Sequence, residues 1–331
     1  MPKMTCRVHW GVLTGGTRGL ALTTTEYVER VESMETPFAV SDDEVEEVLS
    51  WDLSLRAARD TFSEQAAGRV TLTDPRVKRL RYSPVGRGYR LKGAVFTGMG
   101  ITGLRAGRTV LLHQWPDMDF MGVMEERTAY SWRVGAVTAV ALEALGRSEF
   151  GSVCLFGAGR LAHTTLAALA HRYSLGTVDI LSRTSESREQ MAAYFSEQGI
   201  EARPSSDPEH AVREAELVIT MTAADQVLVQ RDWVDDSSVV VSMGGGLELD
   251  FDLLEQAGGL FVDDLEGCLE SGDLARAQES GRYRRDWVTG SLADLLDYPD
   301  AHHWAGPTVF IPRGMAAMDV MQAYMIVRQL R

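Results

Sequence analysis

Cysteine is scarce in this sequence, positive charge is in the minority, and long apolar runs are missing. The three cysteines, Cys6, Cys154 and Cys268, are odd in number and far apart. That excludes a disulfide framework and a cysteine-rich zinc site, and it fits a reducing cytoplasm with no metal requirement. Lysine and arginine number 33 against 47 aspartates and glutamates, a net charge of −14. Such an excess repels phosphate backbones and anionic headgroups, so nucleic acid and membrane surfaces are not expected partners. No apolar run approaches the ~18 residues of a membrane span. The N-terminal stretch is broken by Arg7, Gly15, Gly16, Arg18 and Gly19, without the apolar centre of a signal peptide. What remains is an ordinary globular composition over 331 residues, enough for about two domains.

Residues 1–36 are Thr- and Gly-rich with little periodicity and end at Pro37. They read as an N-terminal extension, from an upstream start ahead of Met34, or alternatively as an arm packed on the body. Ser41 followed by Glu44 is a capping box and opens a helix, and a second helix runs from Leu53 to Ala67. Residues 69–124 hold short β-like runs separated by Gly and Pro, the pattern of a mostly antiparallel sheet. A long helix over Arg127–Leu145 follows. From Ser152, short apolar strands at Val153–Phe156, Val178–Leu181, Leu217–Thr220, Val239–Ser242 and Leu260–Val262 alternate with helices, which predicts a parallel sheet covered on both faces. A last helix, Met315–Gln329, is expected to pack back on the first part. The expected fold is therefore α/β: a Rossmann-type domain over 131–305, and a discontinuous α+β substrate-binding and dimerisation domain over 37–130 and 306–331.

The strand Val153–Phe156 runs into Gly157-Ala158-Gly159-Arg160-Leu161-Ala162 and a helix. In such a Gly-x-Gly-x-x-Ala turn the first glycine allows the tight bend, the second lets a pyrophosphate approach the backbone, and the alanine lets helix and strand pack closely. The phosphates sit on a helix N-terminus, where free N–H groups and the dipole favour anions. The next strand ends in Ser182-Arg183-Thr184 rather than in an acid. Guanidinium and hydroxyl donors suit a ribose 2′-phosphate, with Arg188 one turn further on. NADP(H) is thus the expected cofactor, with NAD(H) as the alternative.

These pieces, in order, resemble the ornithine cyclodeaminase/mu-crystallin family over residues 38–331. The segments that carry the resemblance are Phe38–Val45, Trp132-Arg133-Val134-Gly135-Ala136, Ser182-Arg183-Thr184, Thr220-Met221-Thr222, Glu248-Leu249-Asp250, Glu270–Asp273 and Thr308-Val309-Phe310 with Gly314-Met315-Ala316. The resemblance implies a homodimer whose subunits pair a Rossmann domain with a substrate domain. It also implies hydride exchange between a nicotinamide and the carbon of a C–N bond beside a carboxylate. It places Met221, Thr222, Met243 and Gly244 along the dinucleotide cleft. Arg133 falls at the family's carboxylate-binding arginine, and a planar fork pairs with a carboxylate bidentately. Lys92 matches the active-site lysine; beside another cation and partly desolvated, a lysine has a lowered pKa and can shuttle a proton. Arg76, after Pro75, is the nearest counterpart of a further carboxylate-binding arginine, at altered spacing.

The departures are informative. Cyclodeaminases and the related alanine dehydrogenases carry an Asp in the Gly-rich loop after the strand Val239–Ser242. Here Gly246 stands at that position, and about four loop residues are missing. Pro312 and Arg313 replace the usual Lys-Ser. The acid pairs Asp235-Asp236 and Asp263-Asp264 read as solvated loops or strand ends, and Met315, Met318, Met321 and Met325 as a packing stripe. The expected activity is NAD(P)H-dependent reduction of a 2-imino acid or cyclic ketimine carboxylate. An ornithine-, lysine- or alanine-type cyclodeaminase or dehydrogenase, or an NADPH-bound ligand-binding protein with little catalysis, are the alternatives.

Overall fold

The computed structural model describes residues 38–73, 79–82, 87–297 and 304–331. The expected extension over 1–36 lies outside them. The first sheet grows from the Gly-punctuated segment. Strands β1 (Phe38–Val40), β2 (Val70–Leu72), β3 (Arg79–Tyr82), β4 (Arg87–Phe96), β5 (Ile101–Ala106), β6 (Thr109–Gln114) and β7 (Phe120–Glu125) assemble in the order β1-β7-β6-β5-β4-β2, with β3 also on β4. Its pairs are antiparallel except β1 on β7. Buried and exposed positions alternate along β6, as a sheet with one covered face requires. Strand β5 lies among the glycines that separate the β-like runs. Its Gly103 is a packing residue instead, because a Cβ there would lie 2.8 Å from Val320.

Two helices follow β1: α1 (Asp42–Val48), which meets β7, and α2 (Trp51–Ala66), which packs on other helices. The Ser41–Glu44 capping box forms in full. The long helix α3 (Arg127–Ala144) is buried nearly all round and carries no side-chain cap of its own. Asp42 supplies one from α1, accepting from the N–H groups of Arg127 and Thr128 at 3.0 and 2.8 Å. This satisfies donors that a helix start otherwise leaves unpaired and fixes where α3 begins.

The second sheet has eight parallel strands: β8 (Glu149–Phe156), β9 (Ser174–Leu181), β10 (Ala202–Pro204), β11 (Leu217–Thr220), β12 (Val239–Ser242), β13 (Gly259–Val262), β14 (Gly290–Ser291) and β15 (Thr308–Ile311). Their order is β10-β9-β8-β11-β12-β15-β13-β14. The central strands are buried at every position from β11 to β13, which is why they read as continuous apolar runs. One domain boundary needs correction. Residues 306–331 were assigned together to the substrate domain, yet β15 lies inside the parallel sheet, hydrogen-bonded between β12 and β13. Only the final helix α6 (Ala316–Leu330; α4 is Arg160–Arg172 and α5 is Ser185–Glu197) packs back on α2 and on the first sheet. Met315, Met318 and Met321 are fully buried there, as core.

A glycine sets the spacing between the two halves of the site. A Cβ on Gly135 would lie 2.8 Å from the Ala168 Cβ and 3.0 Å from the Thr164 carbonyl. Helix α3 therefore packs with its backbone directly on α4, the helix that starts at the Gly-x-Gly turn. Arg133 sits half a turn before that contact, so its place relative to the nucleotide loop is fixed by close packing rather than by a flexible linker.

Candidate functional site: a dinucleotide turn beside a buried arginine

The turn after β8 has the properties a pyrophosphate requires. Gly157 adopts φ +121°, and a Cβ there would run into the Met221 carbonyl, so no other residue fits. Above Gly159, by contrast, a Cβ would find nothing within 4 Å. Helix α4 has Gly159 as its N-cap and no side-chain capping bond, which leaves its first N–H donors for a ligand. Ala162 is buried against Gly157. The chain thus fits a dinucleotide: Gly157, Ala158, Gly159, Arg160 and Leu161 would hold its phosphates, and the group would supply the hydride.

At the tip of β9, Thr184 caps α5, accepting from the Ser187 N–H. Ser182 donates to the Thr184 carbonyl at 2.9 Å, and Arg188 reaches back to the Ser182 carbonyl at 3.2 Å. Arg183 is exposed and has no side-chain partner among the described residues. Of the four residues expected around the ribose, Arg183 is the one with none of its side-chain donors committed, while Arg188 has spent one nitrogen. Asp179, the acid of that strand, is turned away in a two-point pair with Arg203 at 2.6 and 2.9 Å.

On the far side of the turn, Tyr130, Arg133, Val134, Val137, Leu161, Met221, Met243, Asp263, Pro312, Arg313 and Gly314 line a cavity of about 100 Å³. Arg133 is buried, 4% exposed. Its Nε lies 2.7 Å from Asp319 Oδ1 on α6, out of line for a hydrogen bond, and its guanidinium lies over the Tyr130 ring. No described residue bonds to its two terminal nitrogens. A buried, oriented guanidinium with an open fork is the donor set a carboxylate needs. Gly314, at φ +79°, is obligatory beside it, since a Cβ would lie 2.9 Å from Arg133 Nη1. The terminal amine of Lys92 donates to the Gly314 carbonyl at 2.5 Å. Lysine and arginine therefore meet across one glycine, although Lys92 lines a neighbouring small pocket and not the Arg133 cavity. Arg76 lies outside the described residues.

Several members of this constellation were given no role from the sequence, although Glu248, Asp273 and Arg313 lie in segments singled out there. Asp263, read there as solvated, is buried and accepts from the N–H groups of Arg313 and Gly314 at 2.9 and 2.6 Å. Arg313 is spent on the loop opposite, donating to the carbonyls of Met243 and Gly244. Glu248 is buried and gathers the N–H groups of Thr222 and Gly244 together with the Thr222 hydroxyl. Asp273 accepts from the Ser242 hydroxyl and from the N–H groups of Glu248 and Leu249, while burial pushes its carboxyl upward. Thr222 and Gly244 are thus framework for the cleft, and Met221 and Met243 line it. At Gly246 a Cβ would strike the Ala224 carbonyl and lie 3.0 Å from the Asp225 Cα, so the loop in this form has no room for an aspartate.

Two arginines approach the Tyr130 ring, Arg105 and Arg133, each 4.9 Å from its centre. Arg105, on β5, faces Lys92 across the strand pair and bonds through Nε to Glu126 at 2.6 Å. Glu126 is buried; desolvation and the nearby Asp319 carboxylate outweigh Arg105 and Arg133 and push its pKa up to about 8. Among the described residues no group of acids, histidines or cysteines could hold a metal ion, and no helix is long and apolar enough to cross a membrane.

Comparison with known proteins agrees with this architecture. The ornithine cyclodeaminase/mu-crystallin family matches over residues 107–331. Ketimine reductase mu-crystallin of Mus musculus is 28% identical over 66% of this chain and 68% of its own. A delta(1)-pyrroline-2-carboxylate reductase of Bacillus cereus is 27% identical over 58% and 61%. Among solved structures, Thermococcus litoralis delta(1)-pyrroline-2-carboxylate reductase in complex with NADH and L-proline superposes with a TM-score of 0.78, at 18% identity, over 88% of this chain and 96% of that one. Two sheets, a dinucleotide turn and a matched sequence of more than half the chain lead to one conclusion: the chain belongs to the ornithine cyclodeaminase/mu-crystallin family, with the fold of its NAD(P)-dependent oxidoreductases.

Proposed function

We propose that the protein is an NADPH-dependent reductase of the C=N bond of a 2-imino acid or cyclic ketimine carboxylate. The observation that carries this reading is the open fork of buried Arg133 in a cavity whose opposite wall, Leu161, Met221 and Met243, belongs to the dinucleotide cleft. A carboxylate on that fork sets the adjacent C=N carbon toward the nicotinamide side, a matter of positioning that accounts for much of the rate of a hydride transfer. Lys92, held against the Gly314 carbonyl, supplies the proton to the nitrogen. The names of the curated relatives, a ketimine reductase and a pyrroline-2-carboxylate reductase, support imine reduction. Gly246 weighs against cyclodeamination, which needs an acid to manage an amine and a departing ammonia. Arg183 favours NADPH over NADH. We further infer a cytoplasmic homodimer, with the α+β portion as its substrate and dimerisation domain, a point that sedimentation checks.

The test is NADPH and NADH oxidation with a panel of cyclic and acyclic 2-imino acids. Steady turnover with NADPH supports the reading. Tight NADPH binding with no turnover on any imine would replace it with a ligand-binding role, and ammonia release from ornithine or lysine would replace it with cyclodeamination.

A further inference from the structure

Sharing Tyr130 with the Arg133 cavity is a larger cleft of about 550 Å³, whose wall includes Arg105, Arg108, Glu126, Arg127 and Arg160. Four arginines around one cleft is a marked concentration in a chain of net charge −14. They do not cancel locally. Arg127 has Glu125 at 2.9 Å, and Arg160 bonds only the Arg127 carbonyl, at 3.3 Å. Arg108 is exposed, with no side-chain partner among the described residues. Arg105 gives its Nε edge to Glu126 and, like Arg133, has no described partner for its terminal nitrogens. The two guanidiniums are built alike: each lies over Tyr130, each has a buried carboxylate on its Nε edge, and each leaves a fork open, one to each cavity.

We propose that the substrate carries a second carboxylate, and that Arg105 receives it while Arg133 holds the carboxylate beside the C=N bond. This rests on the imine-reductase reading above and narrows it to dicarboxylic 2-imino acids. Both guanidinium carbons lie 4.9 Å from one ring centre, so they are separated by at most twice that distance, a span for a compact dicarboxylate rather than a long diamino acid. The Arg133 cavity is too small for more than the head of such a molecule, and Tyr130, common to both walls, is where the remainder turns into the basic cleft. Arg160 belongs to the Gly157–Ala162 turn that would meet the dinucleotide phosphates, which leaves Arg105, Arg108 and Arg127 of the cleft for the substrate. Burial and the nearby Asp319 push the Glu126 carboxyl up to about 8, which weakens its claim on the Arg105 charge.

The experiment compares NADPH oxidation with 2-iminosuccinate and 2-iminoglutarate, formed from oxaloacetate and 2-oxoglutarate in ammonia, against 2-iminopropanoate and delta(1)-pyrroline-2-carboxylate. The expected result is a kcat/KM at least about 10-fold higher for the dicarboxylates. Arg105→Gln should cut that preference by roughly 10- to 100-fold, the loss expected for a charge-assisted bond. Arg108→Gln, an exposed change that leaves folding intact, should cut it by about 3-fold and flatten its dependence on salt. Equilibrium dialysis of L-aspartate against L-alanine in the presence of NADPH gives the same ratio without turnover. A protein that reduces no imine yet prefers aspartate, with the preference lost in Arg105→Gln, keeps the second-carboxylate site and discards the reductase reading. A monocarboxylate preference, or a preference unmoved by Arg105→Gln in both assays, overturns the site and leaves the reductase reading standing.

Discussion

Glu126→Gln should make the protein more stable at alkaline pH and have little effect near pH 5. In the folded chain Glu126 is buried between β7 and α3, with Asp319 close by, and its pKa rises from an ordinary 4.5 to about 8. In the unfolded chain it returns to the ordinary value. Between those values the folded state holds a proton that the unfolded state has released. Stability from this group is therefore highest below pH 4.5, falls as pH rises through the window, and levels off above about 8. Each pKa unit is worth about 1.4 kcal/mol, which sets a ceiling of about 5 kcal/mol, and water entry and side-chain relaxation bring the expected loss to roughly 2–4 kcal/mol. Glutamine keeps an oxygen for Arg105 Nε and cannot ionise, so the variant escapes that loss. Urea unfolding of both proteins at pH 5 and pH 9 measures it, with equal slopes required for the comparison. Curves that stay parallel in pH would refute the reasoning and mean that Arg105 and Arg133 hold Glu126 ionised throughout.

Three further outcomes are expected. Arg183→Asp lowers or inverts a preference for NADPH of about 10- to 100-fold, as judged by kcat/KM with each cofactor; equal use of both cofactors by the native protein would remove its basis. Arg133→Leu raises the KM for the imine by 100-fold or more while the Kd for NADPH in fluorescence titration stays within about 2-fold, because it deletes the clamp and strands Asp319; native kinetics in the variant would exclude Arg133 from the site. Gly246→Asp costs about 1–3 kcal/mol through collision with Ala224 and releases no ammonia from ornithine or lysine, and a gain of cyclodeamination in that variant would show that the loop opens to accept the acid.

Much of the fold was legible because it rests on local signals. The Ser41–Glu44 box, the apolar strands of the parallel sheet and the glycines of the dinucleotide turn each announce themselves within a few residues. Strand β5 did not, because Gly103, which looks like one more turn glycine, is there to admit Val320. Strand β15 was recognised as a family marker, yet its place between β12 and β13 depends on pairing partners 69 and 49 residues away in sequence, and no local pattern encodes that. The site divides the same way. Arg133 and Lys92 could be aligned with a motif. Asp319, Glu126, Arg105 and Asp263 matter through burial and approach from separate elements, which single-residue reading ranks as ordinary surface charge. Asp263 is the plain case: two adjacent aspartates look solvated until Arg313 and Gly314 turn their N–H groups onto one of them.

The late position of β15 has a consequence for how the protein is made. A chain emerging N-terminus first completes β8 through β14 with a gap in the middle of the sheet, where β12 and β13 each expose an unpaired edge. Such edges invite pairing with other chains. The gap closes only when Thr308–Ile311 has cleared the ribosome, and the next residues, Gly314 to Asp319, then finish the wall around Arg133. Sheet closure and site assembly therefore share one late step in biosynthesis, and a chain that stops between Val262 and Thr308 has both the open gap and an unfinished wall around Arg133.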